Sequence, residues 1–302
     1  LGTIADLSQV HTHHRITFRP TPARITDVLA MWHNASRDNH MPQHLAATLR
    51  GKSGFLLRPA YGRVGRAALQ VLVQREYHEP KSTGFTPEMA HAHAFFKALL
   101  PRLPPKVVHL TDDQSPPLLL LTDAMFRPKR KRDEQQCGAG SRVNFMTRMG
   151  AVLYDPRDGA IRHASAVPPD DVLIETLSLE TDAKTYIAPL EAVALISAVH
   201  TFSRRLAGQR VHIFVDNAVA LSAFVHGYAR KLDLARMVNV YHAQLARHRI
   251  TAYLDYVPSK ANIADLPSRN EFTLLTSLGS VLVPYIIPSA DSWRAPLEHW
   301  IE

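Results

Sequence analysis

Apolar positions recur at helical spacing over residues 25–32, 45–49, 67–74 and 87–100, and the last of these opens on Thr86 followed by Pro87, a capping hydroxyl and then proline at the first helical position. From residue 118 the pattern changes. Residues 118–121 are continuously apolar, as in a central strand covered on both faces, and deliver Thr122 and Asp123 at their end. Residues 150–154 and 250–257 are strand-like as well, and 211–216 alternate before ending on Asp216, with helical segments between and after them. A mainly helical first part, then strands mixed with helices, predicts an α/β sheet domain behind a helical region. Prolines at Pro101, Pro104, Pro105, Pro116 and Pro117 bracket a short polar run, so the linker is placed over residues 101–117. The resulting division is a first region 1–110, a second region 111–270 and a C-terminal extension 271–302.

The chain has 302 residues, 46% hydrophobic and 21% charged, enough to bury one large core or two modest ones. Its one cysteine, Cys137, excludes an intramolecular disulfide and a Cys-rich zinc module and fits a reducing compartment or indifference to redox. No secretory signal is visible. The longest apolar stretch, residues 274–287, is broken by Gly279 and Pro284 and is too short to span a bilayer, so an intracellular protein without a membrane role is expected. A first residue of Leu1 rather than Met suggests a piece of something longer.

Charge sharpens the division. The net +8 is carried entirely by residues 1–110, where 14 Lys and Arg face 6 Asp and Glu, while residues 111–302 hold 21 of each. A basic part joined to a balanced part that keeps its own carboxylates fits a region that grips an anionic backbone beside a region that does chemistry. The stretch 127–148, with Arg127, Lys129, Arg130, Lys131 and Arg132, reads as a basic hairpin insertion, either a solvated loop or a nucleic-acid contact.

Four acidic residues stand at places where a sheet enzyme needs them. Asp123 follows the first central strand and is expected at the sheet rim. Glu191, two residues after Pro189, is expected in the first turn of a helix running to about residue 206, on the face shared with Leu195, Ala198 and Phe202. Asp216 closes the strand 211–216, at the strand end where open α/β sheets bind ligands. Asp265 lies in a helical turn directly after the strand 250–257. Carboxylates converging at one rim repel each other unless a cation sits between them, and hard oxygen ligands without Cys or an essential His favour Mg²⁺ or Mn²⁺. Two such ions roughly 4 Å apart activate water and stabilise the leaving oxygen of a phosphodiester.

These residues resemble a known family, the ribonuclease H domain of retroelement reverse transcriptases, most similar to the DIRS-like or LTR retrotransposon type. The matching stretches are Leu120-Leu121-Thr122-Asp123-Ala124, Pro189-Leu190-Glu191-Ala192, Phe214-Val215-Asp216-Asn217 and Ala264-Asp265-Leu266-Pro267-Ser268-Arg269, and the match spans residues 118–269. The resemblance implies a ribonuclease H-like five-stranded mixed sheet flanked by helices, preceded by a mainly α, thumb-like region. It also implies hydrolysis of the RNA strand of an RNA/DNA hybrid with two Mg²⁺ or Mn²⁺ ions. Asp123 would bridge both ions, Glu191 and Asp216 would hold the one near the leaving group, and Asp265 the one that activates water. Lys52, Arg63, Arg66, Asn217, Lys260, Asn262 and Arg269 are the expected nucleic-acid contacts, and the polymerase palm and fingers of the same polyprotein are the expected protein partner. Two departures stand out: the loop Val257-Pro258-Ser259-Lys260 lacks the His that many cellular members carry there, and the first hairpin is enlarged. Residues 49–57 resemble the stretch that begins a polymerase thumb, but the polymerase's paired aspartates are missing, since Asn217 follows Asp216.

Other readings remain to be weighed. A proofreading exonuclease would carry a Glu two residues after its first-strand Asp, where this chain has Met125. An integrase core would place its Glu last rather than second. A catalytically inactive nucleic-acid-binding connection or tether module stays open, although it would be expected to have lost carboxylates. For His11, His13, His14, His91 and His93 solvation is the default, for Trp293 and Trp300 packing, and Lys52 follows no Gly-rich loop, so a nucleotide P-loop is not supported.

Overall fold

The computed structural model describes residues 2–111, 115–128, 145–176, 187–289, 292 and 293. The described chain falls into two compact units. One comprises the residues up to Ser115 together with His242–Arg249, and the other comprises Pro116–Tyr241 and the residues from Ile250 onward.

The first unit contains β1 (Thr3–Asp6), α1 (Val10–His13), β2 (Arg15–Pro20), α2 (Pro22–Arg37), α3 (Gln43–Leu57), α4 (Gln70–Val73), which continues into a π-turn, α5 (Pro87–Arg102) and β3 (Lys106–His109). The helices follow the apolar spacing. Thr86 Oγ1 accepts the amide of Met89, and Pro87 takes the first helical position where its missing N–H costs nothing. Their shared core is built on Trp32, Met41, Leu49, Leu56, Leu72, Phe96 and Leu99, all fully buried. Trp32 stacks on His93 and Phe96. Buried Arg75 donates to the carbonyls of Met41 and Gly84, which replaces the hydration its guanidinium loses.

This unit is less purely helical than its sequence suggests. β1, β2 and β3 form a three-stranded antiparallel sheet, with Thr3 opposite Pro20 and Arg15 opposite His109. β3 lies inside the proline-bracketed stretch read as linker, so that part is folded structure. These strands are four to six residues long, mix polar with apolar side chains and bury neither face fully, so no period of two stands out.

The second unit contains β4 (Leu118–Pro128), β5 (Phe145–Asp155), β6 (Ala160–Ala166), α6 (Ile187–Thr201), α7 (Ser203–Leu206), β7 (Arg210–Val215), α8 (Ala218–His226), α9 (Leu232–Arg247, its last residues counted with the first unit), β8 (Thr251–Tyr256), α10 (Asp265–Ser268), α11 (Thr273–Ser277) and β9 (Val281–Leu282). The sheet order is β8-β7-β4-β5-β6-β9. β4, β5 and β6 form an antiparallel meander, β7 and β8 run parallel to β4, and the two-residue β9 runs parallel to β6. This is the expected mixed sheet flanked by helices, one short strand wider than the five implied.

α6 is apolar all round, and residues Leu190–Val199 are buried without interruption. Such a helix must be covered on every side. β4 and β5 underlie it, and the C-terminal stretch runs beside it: the Tyr285 hydroxyl donates to the Ala194 carbonyl at 2.7 Å, and the Ile286 amide to Thr201 Oγ1 at 2.9 Å. Trp293 is buried, its indole N–H on the Pro288 carbonyl, as the packing default expects. Among the described residues no helix is long and apolar enough to cross a membrane.

Three local expectations need correction. β4 does not end at Asp123 but continues to Pro128, paired with β5 on every residue from Leu119 opposite Tyr154 to Pro128 opposite Phe145. β5 accordingly starts at Phe145, so both ends of the basic insertion are strand, while residues 129–144, with Lys129, Arg130, Lys131, Arg132 and Cys137, lie outside the described residues. Glu191 is the fifth residue of α6, past its first turn, and the helix breaks at Phe202 before α7 rather than running on unbroken.

Candidate active site

β4 outruns its parallel neighbour, and that creates the site. β7 pairs with β4 only as far as Phe214 opposite Leu121 and ends at Val215. Two residues further along each strand come Asp123 and Asp216, so the two carboxylates meet where β7 leaves the sheet. Asn217 sets the departure: its side-chain oxygen accepts the amides of Val219 and Ala220, capping α8. Glu191 arrives from α6, and its Oε1 accepts the Ala124 amide at 3.2 Å, tying it to the strand residue beside Asp123. Asp123, Glu191 and Asp216 each bring a carboxylate oxygen within 4.8 Å of the others.

The electrostatics of this cluster are unfavourable without a cation. Asp123 is 5% exposed and Glu191 2%. Burial, ahead of the charges of Asp216 and Asp265, pushes Asp123 up to about 6 against the downward pull of the Ser268 hydroxyl. Burial, then the charges of Asp123 and Asp216, holds Glu191 well above the ordinary carboxylate range. Glu191 Oε2 is buried with no hydrogen-bond donor among the described residues. The Tyr285 phenol is also pushed well up, by burial first and then by Glu191 and Asp123.

Asp265 stands at the edge of the cluster rather than inside it. Its Oδ1 accepts Arg269 Nε at 2.7 Å, and its charge bears on Asp123. Three of the four expected carboxylates are therefore gathered within mutual reach, and the fourth is held one step away by its own helical turn.

The expected nucleic-acid contacts sit in different surroundings. Asn217 caps α8, and Asn262 is buried, donating to the Thr122 carbonyl at 2.9 Å and accepting the Ala264 amide. Arg269 is bonded to Asp265, and Lys52 is ion-paired with Asp27 at 2.9 Å. These four have intramolecular tasks. Arg63, Arg66 and Lys260 are exposed, the first two in the turn before α4 and the third in the turn after β8.

Sequence reasoning missed Ser268, Gly150 and Ser165. Ser268 is fully buried, and its hydroxyl donates to Asp123 Oδ2. The signal was present, because Ser268 lies in the Ala264–Arg269 motif, but nothing in a single sequence distinguishes a serine that holds a carboxylate from one that faces water. Gly150, opposite Asp123, makes room for α10: a Cβ there would lie 2.5 Å from both the Ala264 carbonyl oxygen and the Ser268 amide nitrogen.

No protein-family model matches the chain, and no curated protein matches it. Among solved structures, RNase H1 from the halophilic archaeon Halobacterium salinarum NRC-1 aligns at 15% identity with a TM-score of 0.34, over 51% of this chain and 95% of that one. The N-terminal RNase H domain of Rv2228c from Mycobacterium tuberculosis, solved as a fusion with maltose-binding protein, aligns at 13% identity with a TM-score of 0.32, over 54% and 99%.

Proposed function

We propose that the second unit hydrolyses the RNA strand of RNA/DNA hybrids with Mg²⁺ or Mn²⁺, as part of a retroelement reverse transcriptase whose palm and fingers are its protein partners. The observation that carries the reading is the cluster of Asp123, Glu191 and Asp216, each with a carboxylate oxygen within 4.8 Å of the others, brought together where β7 ends, with Asp123 and Glu191 buried. The donor set fits the group: all ligands are hard carboxylate oxygens, and the buried Glu191 Oε2 lacks a donor. Asp123, Glu191 and Asp216 would hold the cation, with Asp265 at hand for a second. Bound divalent cations supply a water of lowered pKa and stabilise the leaving oxygen of a phosphodiester.

The chain's own residues do the rest. Glu191, anchored on the Ala124 amide, and Asp216, fixed by the capped turn into α8, keep their carboxylates turned inward, so little reorganisation is needed when charge develops. Exposed Lys260 lies beside the closing turn, and exposed Arg63 and Arg66 contribute to the positive excess of the first region, where they would contact backbone phosphates.

The test is cleavage of a labelled RNA/DNA hybrid with Mg²⁺, beside double-stranded RNA and double-stranded DNA. The expected result is cutting of the RNA strand in the hybrid alone, abolished by EDTA. Tight hybrid binding without cutting would favour the connection-module reading, and equal cutting of all three duplexes would refute the substrate assignment.

A further inference from the structure

We propose that Ser268 is the positioning residue of the carboxylate cluster, its hydroxyl setting the rotation of the Asp123 side chain and with it the oxygen that Asp123 presents to a divalent cation. The proposal rests on the metal-dependent reading above and adds a residue to it.

The geometry begins with one row across three strands. Asp123 on β4 lies opposite Gly150 on β5, and Gly150 opposite Ser165 on β6. α10 is seated on that row. Ser165 Oγ donates to the Pro267 carbonyl at 2.7 Å, Gly150 leaves the space that the Ala264 carbonyl and Ser268 amide occupy, and Ser268 Oγ reaches Asp123 Oδ2. From the preceding turn Asn262 fastens the Thr122 carbonyl, so the backbone on the N-terminal side of Asp123 is pinned by the same segment.

Backbone pinning does not fix a carboxylate. The terminal torsion of Asp joins an sp³ to an sp² carbon and is broad, so a buried Asp turns unless something holds one of its oxygens. Ser268 is the group that does so. Its hydroxyl has one proton and two acceptors in reach, Asp123 Oδ2 and, 3.0 Å away, the Asp265 carbonyl of its own turn; the carboxylate is nearer and charged, and takes the proton. The same turn holds the Asp265 carboxylate through Arg269 Nε. The α10 segment therefore orients two acids of the site at once, one with a hydroxyl and one with a guanidinium. Groups that orient metal ligands in this way change metal affinity or activity by about 10–100-fold when removed.

The experiment is a titration of the whole chain with Mn²⁺, free ion read by electron paramagnetic resonance and no nucleic acid present, on wild type, Ser268→Ala and Ser268→Thr. Melting temperatures in EDTA establish that each variant is folded, and Ser268→Cys, a weak donor of similar volume, carries the comparison if the alanine variant melts early. The expected result is Mn²⁺ affinity weakened about tenfold in Ser268→Ala and restored in Ser268→Thr, with kcat on the hybrid falling in parallel and KM unchanged. Wild-type Mn²⁺ affinity in a folded Ser268→Ala would overturn the positioning role and leave the function reading standing. Weakened affinity in Ser268→Ala, with no hybrid cleavage by wild type, would uphold the positioning role and overturn the function reading. Absence of Mn²⁺ binding by wild type would overturn both.

Discussion

The sheet of the second unit carries two groups of carboxylates, and they are built on opposite terms. Asp155, at the end of β5, is almost fully buried, yet Arg157 grips both of its oxygens at 2.8 and 2.6 Å and Arg205 approaches at 3.5 Å. Asp158 in the following turn is paired with Arg162 at 2.6 Å and Arg205 at 3.3 Å. Hydrogen bonds from Arg157 hold Asp155 below the ordinary carboxylate range, and those from Arg162 hold Asp158 at about 2. Asp123 on β4 and Glu191 on α6 are nearly as deeply buried, lie against each other and Asp216, and are pushed up rather than down. Where this fold uses acids for structure, it supplies their counter-ions. Where it leaves them facing one another, three hard oxygen donors within 4.8 Å are suited to a divalent cation.

Removing one carboxylate from each group separates the two roles. Asp216→Asn is expected to lower the rate of hybrid cleavage by about a thousandfold, because a ligand worth several kcal/mol of transition-state charge stabilisation is lost. Hybrid binding should be largely spared, since the exposed cations are untouched. Asp158→Asn should change the rate by no more than about twofold, as expected of an exposed ion pair. Equal losses in both variants would dissolve the distinction.

Stability sharpens the contrast through its sign. Folded Asp123 binds its proton more tightly than an unfolded Asp near 3.8, so the folded chain holds extra proton between about pH 4 and pH 6 and loses stability as the pH rises through that window. In EDTA at pH 8, Asp123→Asn should therefore be more stable than wild type, by on the order of 3 kcal/mol at most, and saturating Mn²⁺ should reverse the order. Asp155 behaves in the opposite sense. Its pKa is depressed, so its contribution is present above about pH 4 and fades as the pH falls below that, and Asp155→Asn at pH 8 should be less stable by about 1–2 kcal/mol. Thermal melts of both variants against wild type from pH 4 to pH 8 read these signs; the same sign for both would contradict the account.

The acids and the sheet were legible because their signals are local. The apolar run before Asp123, the alternation of 211–216 and the turn after β8 each place a carboxylate without knowledge of its neighbours. What was not legible depends on pairing. Asp123 looks like a strand end because Thr122 and Asp123 break the apolar run, whereas β5 supports β4 for another five residues. Asn217, Asn262, Arg269 and Lys52 look like surface contacts in a basic, polar sequence, and only the tertiary structure reveals the amides, carbonyls and carboxylates they already bond. The small sheet of the first unit escaped notice because strands as short and mixed as residues 3–6 and 106–109 leave no periodic trace. The C-terminal stretch beside α6 carries the same lesson: Tyr285 finds Ala194 across 91 positions of sequence.

Whether the cluster of Asp123, Glu191 and Asp216 takes a divalent cation can be measured without any substrate, by calorimetric titration of Mn²⁺ into the whole chain, wild type beside Asp123→Asn, at pH 8. The expected result is saturable binding by wild type and its loss in the variant. Equal binding by the two, or none by wild type, would contradict a metal centre at these residues.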